Sequence, residues 1–154
     1  MCIPILEVEG YEADDVIGTL SQKGVEAGYE VFMVTPDKDY GQLVSDRVFM
    51  YRPKHTGGFE VMGTEEVKTK FNIQTTEQVI DMLGLMGDAS DNIPGCPGVG
   101  EKTAQKLIAE FGCIENLLEH TDQLKGALKT KVETNREMIT FSKFLATIKT
   151  DVPW

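Results

Sequence analysis

Apolar positions along the chain change their spacing near residue 64. Before it they come in short runs bounded by Gly, Pro and charged residues. After it they recur every three or four residues. Ile3 to Val8 is a short, mostly apolar run that reads as a strand and is broken by Gly10-Tyr11. A helix then runs through Val16, Ile17, Leu20 and Val25, capped by Asp14 or a neighbour and ending near Gly28. Val31-Phe32-Met33-Val34 is a buried strand, and strand, helix, strand at this spacing implies a parallel βαβ unit. A loop from Pro36 to Tyr40, a short helix through Gln42-Leu43-Val44, a strand from Arg47 to Arg52 and a short edge strand from Phe59 to Met62 complete this half.

From Thr64 the spacing is helical. Thr64-Glu65-Glu66-Val67 opens a short helix that ends before Asn72. Thr76 caps a second, with Val79, Ile80, Leu83 and Met86 on its inner face. A third covers about Glu101 to Phe111 and is ended by Gly112. Ile114 to Leu118 is short, and further helices cover about Leu124 to Lys131 and Glu133 to Ala146. The expected organisation is an α/β part over 1–63 and a helical part over 64–154.

Composition narrows this picture. At 154 residues the chain suits one domain, or one and a small appendage, and its 41% hydrophobic content is enough for a core. No run approaches a membrane span, and Glu7 and Glu9 interrupt any signal-peptide pattern. Cys2, Cys96 and Cys113 lack C-x-x-C spacing, so a reducing cytoplasm is expected. His55 and His120 alone give a zinc site little support. The formal charge of −10 is uneven: residues 1–99 hold 7 basic and 17 acidic side chains, residues 100–154 hold 8 of each. Such an acidic half fits nucleic acid only if metal ions neutralise its carboxylates or if a basic part lies elsewhere.

The acids fall at element boundaries. Glu12, Asp14 and Asp15 precede the first helix; Asp37 and Asp39 follow the second strand; Asp88 and Asp91 follow the helix over 76–86. In a parallel sheet the carboxyl ends of the strands share one edge, where sites collect. Each group also has a plainer explanation. Acids at a helix start interact well with its dipole, and Asp37-Lys38-Asp39 could be an ordinary loop. A calcium loop is excluded, because Gly41 and Val48 stand where it needs further ligands.

The richest stretch is Gly87-Asp88-Ala89-Ser90-Asp91-Asn92-Ile93-Pro94-Gly95-Cys96-Pro97-Gly98-Val99-Gly100-Glu101-Lys102-Thr103. Asp88 and Asp91, three apart, can reach one face of a helical turn. Paired oxygen donors suit a hard ion such as Mg2+ or Mn2+. Gly98 and Gly100 allow close backbone approach, and free N–H groups at the next helix start form an anion site beside Lys102 and Thr103. The phosphate loop G-x-x-x-x-G-K-[ST] is excluded, since Glu101 separates Gly100 from Lys102 and Pro94 and Pro97 interrupt the loop. A helix–turn–helix corner with ordinary capping acids is the plain alternative.

Tyr11-Glu12-Ala13-Asp14-Asp15-Val16-Ile17, Thr35-Pro36-Asp37-Lys38-Asp39, Gly87 to Gly95 and Gly98-Val99-Gly100-Glu101-Lys102-Thr103-Ala104 occur in the order and spacing of a known family. With these motifs the chain resembles the 5′ nuclease superfamily, in particular the 5′→3′ exonuclease domain of bacterial DNA polymerase I, related to flap endonucleases. The resemblance runs from about Ile3 to Pro153.

It implies an α/β, PIN-like core followed by a helical DNA-binding part with a helix–hairpin–helix at about 76–111. It implies metal-dependent hydrolysis of DNA near a 5′ end or flap junction, in replication and repair. Glu12, Asp14 and Asp15 would serve one divalent ion, directly or through water, and Asp37, Asp39, Asp88 and Asp91 a second. Gly95, Gly98, Val99, Gly100, Lys102 and Thr103 would hold duplex backbone without reading sequence, with K+ on the hairpin carbonyls. Implied partners are DNA and the rest of a polymerase chain, with no membrane. The family also begins with an Asp-bearing strand and a basic arch, and neither precedes Ile3. The sheet is therefore expected to be incomplete, with an exposed edge that favours dimerisation, and the isolated chain weakly active or inactive. Two other functions share parts of this pattern: a non-catalytic duplex-DNA-binding module, and a PIN-type ribonuclease, against which the hairpin argues.

Overall fold

The computed structural model describes residues 2–153, which divide into two compact units. One comprises the chain up to Thr64 together with the segment from Ile148 onward; the other is Glu65–Thr147.

The first unit is α/β. Helix α1 spans Ala13–Glu26, and strand β1 spans Val31–Val34. A 3-10 turn over Lys38–Leu43 leads to β2 (Val48–Pro53) and β3 (Phe59–Met62). β1 pairs in parallel with β2, Val31 opposite Val48, and β2 pairs antiparallel with β3, Met50 opposite Met62. The sheet order is β1-β2-β3, which leaves β1 at an edge among the described residues. Alternation then sorts the side chains. Met33, Val48, Met50 and Met62 are buried on one face. On the other, Phe32 stacks on Phe49 and Tyr51 on Phe59, with ring centroids 5.3 and 4.7 Å apart.

The strand expected over Ile3–Val8 does not form. These residues have no regular structure, and Ile5 is 91% exposed. Apolar composition makes a strand only where an edge accepts its hydrogen bonds, and Pro4 removes one donor. The parallel pair that forms is β1 with β2, rather than the first run with β1.

The segment from Ile148 onward belongs to this unit and is tied to it by side chains. The Ile148 N–H donates to Gln42 Oε1 at 2.9 Å, the Lys149 N–H to Asp15 Oδ1 at 2.9 Å, and the Val152 N–H to Thr19 Oγ1 at 3.0 Å. Gly18 makes room for it: a Cβ there would lie 2.8 Å from Ile148 Cγ2 and 2.9 Å from the Lys149 carbonyl oxygen.

The second unit is helical: α2 (Thr64–Phe71), α3 (Gln78–Met86), α4 (Glu101–Phe111), α5 (Ile114–Glu119), α6 (Gly126–Thr134) and α7 (Arg136–Ala146). The last two begin two to three residues later than their apolar spacing predicts. α3 is the central element, with Val79, Met82, Leu83 and Leu85 fully buried. It also carries buried Asp81, whose Oδ1 accepts from the Ile114 N–H at 3.0 Å and from Lys143 Nζ at 2.6 Å. Lys143, on α7, donates onward to Glu115 at 2.8 Å.

Burial pushes the Asp81 carboxyl above its ordinary value, against the pull of Lys143. Burial disfavours charge on Lys143 too, yet its bonds to Asp81 and Glu115 carry its pKa upward. Glu115, also opposed by burial, is drawn down by Lys143. The Glu115 share of stability is therefore present above about pH 4.5 and is lost as pH falls through its folded-state value. The Lys143 share is complete below 10.5 and is lost only as pH rises past its folded-state value.

Lys143→Met leaves a carboxylate buried without its cation and should cost about 3–5 kcal/mol at pH 7 in urea unfolding. Glu115→Gln, at an exposed side chain, should cost at most about 1 kcal/mol. The Lys143→Met deficit should shrink as pH falls, because the unpaired Asp81 takes up a proton; a deficit independent of pH would contradict this account.

Candidate metal and DNA site

Within the α/β unit, α1 and the β1–β2 connection deliver the acids. β1 ends at Val34, and Asp37 caps the 3-10 turn: its Oδ1 accepts from the Asp39 N–H at 3.0 Å, and its own N–H donates to Thr35 Oγ1 at 3.1 Å. This tight turn sets the two carboxylates side by side, with oxygens within 4.8 Å of each other. Asp39 is 5% exposed, and Asp37 is half-buried.

Tyr40, next in the turn, is buried, and its hydroxyl donates to Asp14 Oδ1 on α1 at 2.5 Å. Burial, this hydrogen bond, and the charges of Asp14, Asp37 and Asp39 all push the Tyr40 pKa well above that of an ordinary tyrosine. The raised pKa favours the protonated hydroxyl, the form that donates to Asp14. Three of the sequence-predicted acids, Asp14, Asp37 and Asp39, thus gather around one phenol.

Asp15 has a different role. Its Oδ2 accepts from the Glu12 N–H at 3.4 Å, closing the first turn of α1, while its Oδ1 takes the Lys149 N–H. Glu12 is the exposed N-cap of α1. Donors here are all carboxylate oxygens, a set that fits a hard divalent cation and does not fit a soft one.

In the helical unit, Asp88 and Asp91 do not share a helical turn. α3 stops at Met86, and Gly87 turns with φ of 74°. The Asp88 N–H donates to the Ile93 carbonyl at 2.8 Å and the Ile93 N–H to the Asp88 carbonyl at 2.9 Å, forming a small closed loop. Asp88 is buried, and its Oδ1 accepts from the Ser90 N–H and hydroxyl at 3.1 and 2.8 Å; Asp91 is exposed at the loop tip. The loop breaks the helical spacing because Asn92 adopts φ of 56° and Pro94 follows two residues later.

The hairpin 95–100 is held by backbone contacts. Gly95, at φ of 66°, lies against Gly87 so closely that a Cβ would overlap its backbone, and the Gly95 N–H donates to Ser142 Oγ at 2.8 Å. The Cys96 N–H bonds the Leu85 carbonyl at 2.7 Å, and burial pushes the Cys96 thiol pKa up. Gly98, with φ of 83°, is exposed, Val99 is buried, and Gly100 caps α4, so the first N–H groups of α4 lie beside exposed Lys102 and half-buried Thr103. A basic residue the sequence did not single out joins them: a Cβ on Gly98 would come within 2.9 Å of the Lys131 ammonium on α6. Tyr40, Ser142 and Lys131 carried no local signal, since each acts across 26 or more residues.

Two family models together match almost the whole chain. One is described as 5′-3′ exonuclease, N-terminal resolvase-like domain, over residues 1–72, and the other as 5′-3′ exonuclease, C-terminal SAM fold, over residues 74–154. DNA polymerase I of Bacillus caldotenax is 46% identical over 98% of this chain, and DNA polymerase I of Bacillus subtilis (strain 168) 49% identical over 96%. In both cases the chain spans only 17% of the relative's length. Among solved structures, the zinc-bound 5′-exonuclease of T5 matches with a TM-score of 0.83 at 24% identity, covering 93% of this chain and 52% of that one. A flap endonuclease of the same bacteriophage, in a pseudo-enzyme-product complex with DNA and metal ions, matches with a TM-score of 0.78 at 24% identity, covering 90% and 50%. The solved structures share the fold, and the two family models together span nearly the whole chain: the chain belongs to the 5′-3′ exonuclease family.

Proposed function

We propose that this chain holds the divalent ions of a nuclease that hydrolyses DNA phosphodiester bonds at a 5′ end or flap junction. The observation that carries the reading is the tight turn after β1, which sets Asp37 and Asp39 side by side and ties Asp14 to the same place through Tyr40. Like charges gathered this closely repel unless a cation lies among them. Glu12 and Asp14 are assigned to one ion and Asp37 and Asp39 to a second; Asp88 and Asp91, in the helical unit, are proposed as further oxygen donors to a divalent ion. Asp15, whose oxygens accept backbone N–H groups, is assigned with Glu12 and Asp14, directly or through water. Mg2+ or Mn2+ suits the all-oxygen donors. Such ions, when bound, activate water and offset charge developing on the leaving oxygen.

The helical unit supplies the grip. Gly95, Gly98, Val99 and Gly100 present backbone at the start of α4, and Lys102, Thr103 and Lys131 add a hydroxyl and two ammonium groups for duplex phosphates. The relatives' name supports placing the chain within a DNA polymerase I, with the remainder of that polypeptide and DNA as its partners.

Mn2+ titration of the purified chain by calorimetry tests the metal assignment. Asp37→Asn and Asp88→Asn should each weaken binding at least about tenfold; unchanged affinity for either would contradict it, and would favour a duplex-binding module whose acids are structural. Lys102→Ala should weaken duplex DNA binding equally for unrelated sequences and lower the slope of log affinity against log salt by about one. Fluorescence anisotropy on two unrelated duplexes measures both, and a loss confined to one sequence would contradict a backbone role.

A further inference from the structure

We infer that Tyr40 is a positioning residue for the metal site, acting by holding the Asp14 carboxylate in place before any cation arrives. The inference rests on the metal reading above and adds to it a residue that the acidic motifs do not contain.

Tyr40 has the geometry for this role. It follows Asp39 in the same 3-10 turn that Asp37 caps, so one short segment delivers two carboxylates and one hydroxyl. Its ring is buried, which fixes the hydroxyl at one point. That hydroxyl reaches across 26 residues of sequence to Oδ1 of Asp14 on α1. One oxygen of Asp14 is thereby engaged, and the carboxylate is left with its second oxygen as a donor atom.

The chemistry of the donor matters. Asp14, Asp37 and Asp39 repel one another, and Asp14, half-exposed near the start of α1, would swing toward water if released. An ammonium in the place of Tyr40 would hold Asp14 but would neutralise the charge the cation needs. A hydroxyl fixes the carboxylate and leaves its full charge in the cluster. Partners of ligating carboxylates orient them in this way, and their removal commonly lowers metal affinity 10- to 100-fold.

The test is Mn2+ affinity of the purified chain without DNA, read by calorimetry and by the electron paramagnetic resonance of free Mn2+. Tyr40→Phe keeps the buried ring and removes only the hydroxyl. It should bind Mn2+ about tenfold more weakly, with its far-ultraviolet circular dichroism and cooperative melting in EDTA retained. The effect should vanish in an Asp14→Asn background, because Tyr40 acts through Asp14. Wild-type affinity in Tyr40→Phe, or an equal loss with and without Asp14→Asn, would overturn the inference. Should Tyr40→Phe melt early, Asp14→Asn alone decides: affinity equal to that of the unaltered chain removes the group on which Tyr40 acts. Failure of the unaltered chain to bind Mn2+ would overturn the metal reading itself. Binding abolished by Asp37→Asn but untouched by Tyr40→Phe overturns this inference alone.

Discussion

Carboxylates crowded at the carboxyl end of β1 and the start of α1 repel one another, and the α/β unit is arranged to hold them together in spite of that. Neutral hydrogen-bond donors orient several of them. The Asp39 N–H fixes Asp37, the Tyr40 hydroxyl fixes Asp14, and the Glu12 and Lys149 N–H groups fix Asp15. Each donor orients a carboxylate without removing its charge. The result is a negative, preorganised cluster of oxygen donors, the electrostatic counterpart of a hard divalent cation. The acidic balance of residues 1–99, which by itself argues against a nucleic-acid partner, is what the proposed reading requires, with ions between protein and phosphate.

The helical unit solves a different problem with buried charge and close backbone contact. Asp81 joins three helices: it sits on α3, caps the start of α5 through the Ile114 N–H, and pairs with Lys143 of α7. Once α3 and α7 are fixed, Ser142 of α7 can accept the Gly95 N–H, and Gly95 can lie on Gly87 at the end of α3. The hairpin is thus held from beneath by the same two helices, leaving Gly98 and Gly100 exposed. A backbone held rigidly at a helix start suits phosphate contact, which calls for fixed N–H groups more than for particular side chains.

Local pattern made much of this visible. Val31 to Val34 reads as a strand and is one; Val79 and Leu83 mark the buried side of α3; Gly112 ends α4. Those signals are short-range, set by periodicity and backbone preference. What pattern does not reveal is partnership across long separations. Ile3 to Val8 has strand composition without a strand's neighbour. Asp81 resembles a surface acid on a helix, and only the fold brings Lys143, 62 residues away, to it. Asp88 and Asp91 have helical spacing but lie in a closed loop, because the positive φ of Gly87 and Asn92 outweighs spacing. Tyr40 and Ser142 look like ordinary residues in sequence, since one hydrogen bond each, 26 and 47 residues long in chain terms, gives them their roles. The acidic motifs were legible as a set; the groups that orient them were not.

The central claim is that the turn after β1 is built to hold a divalent ion. Anomalous diffraction from crystals of this chain soaked in MnCl2 tests it most directly. The account predicts a manganese peak in coordination distance of both Asp37 and Asp39, with Tyr40 still bonded to Asp14. A crystal in which manganese binds elsewhere, or in which those two carboxylates point away from any bound ion, would contradict it.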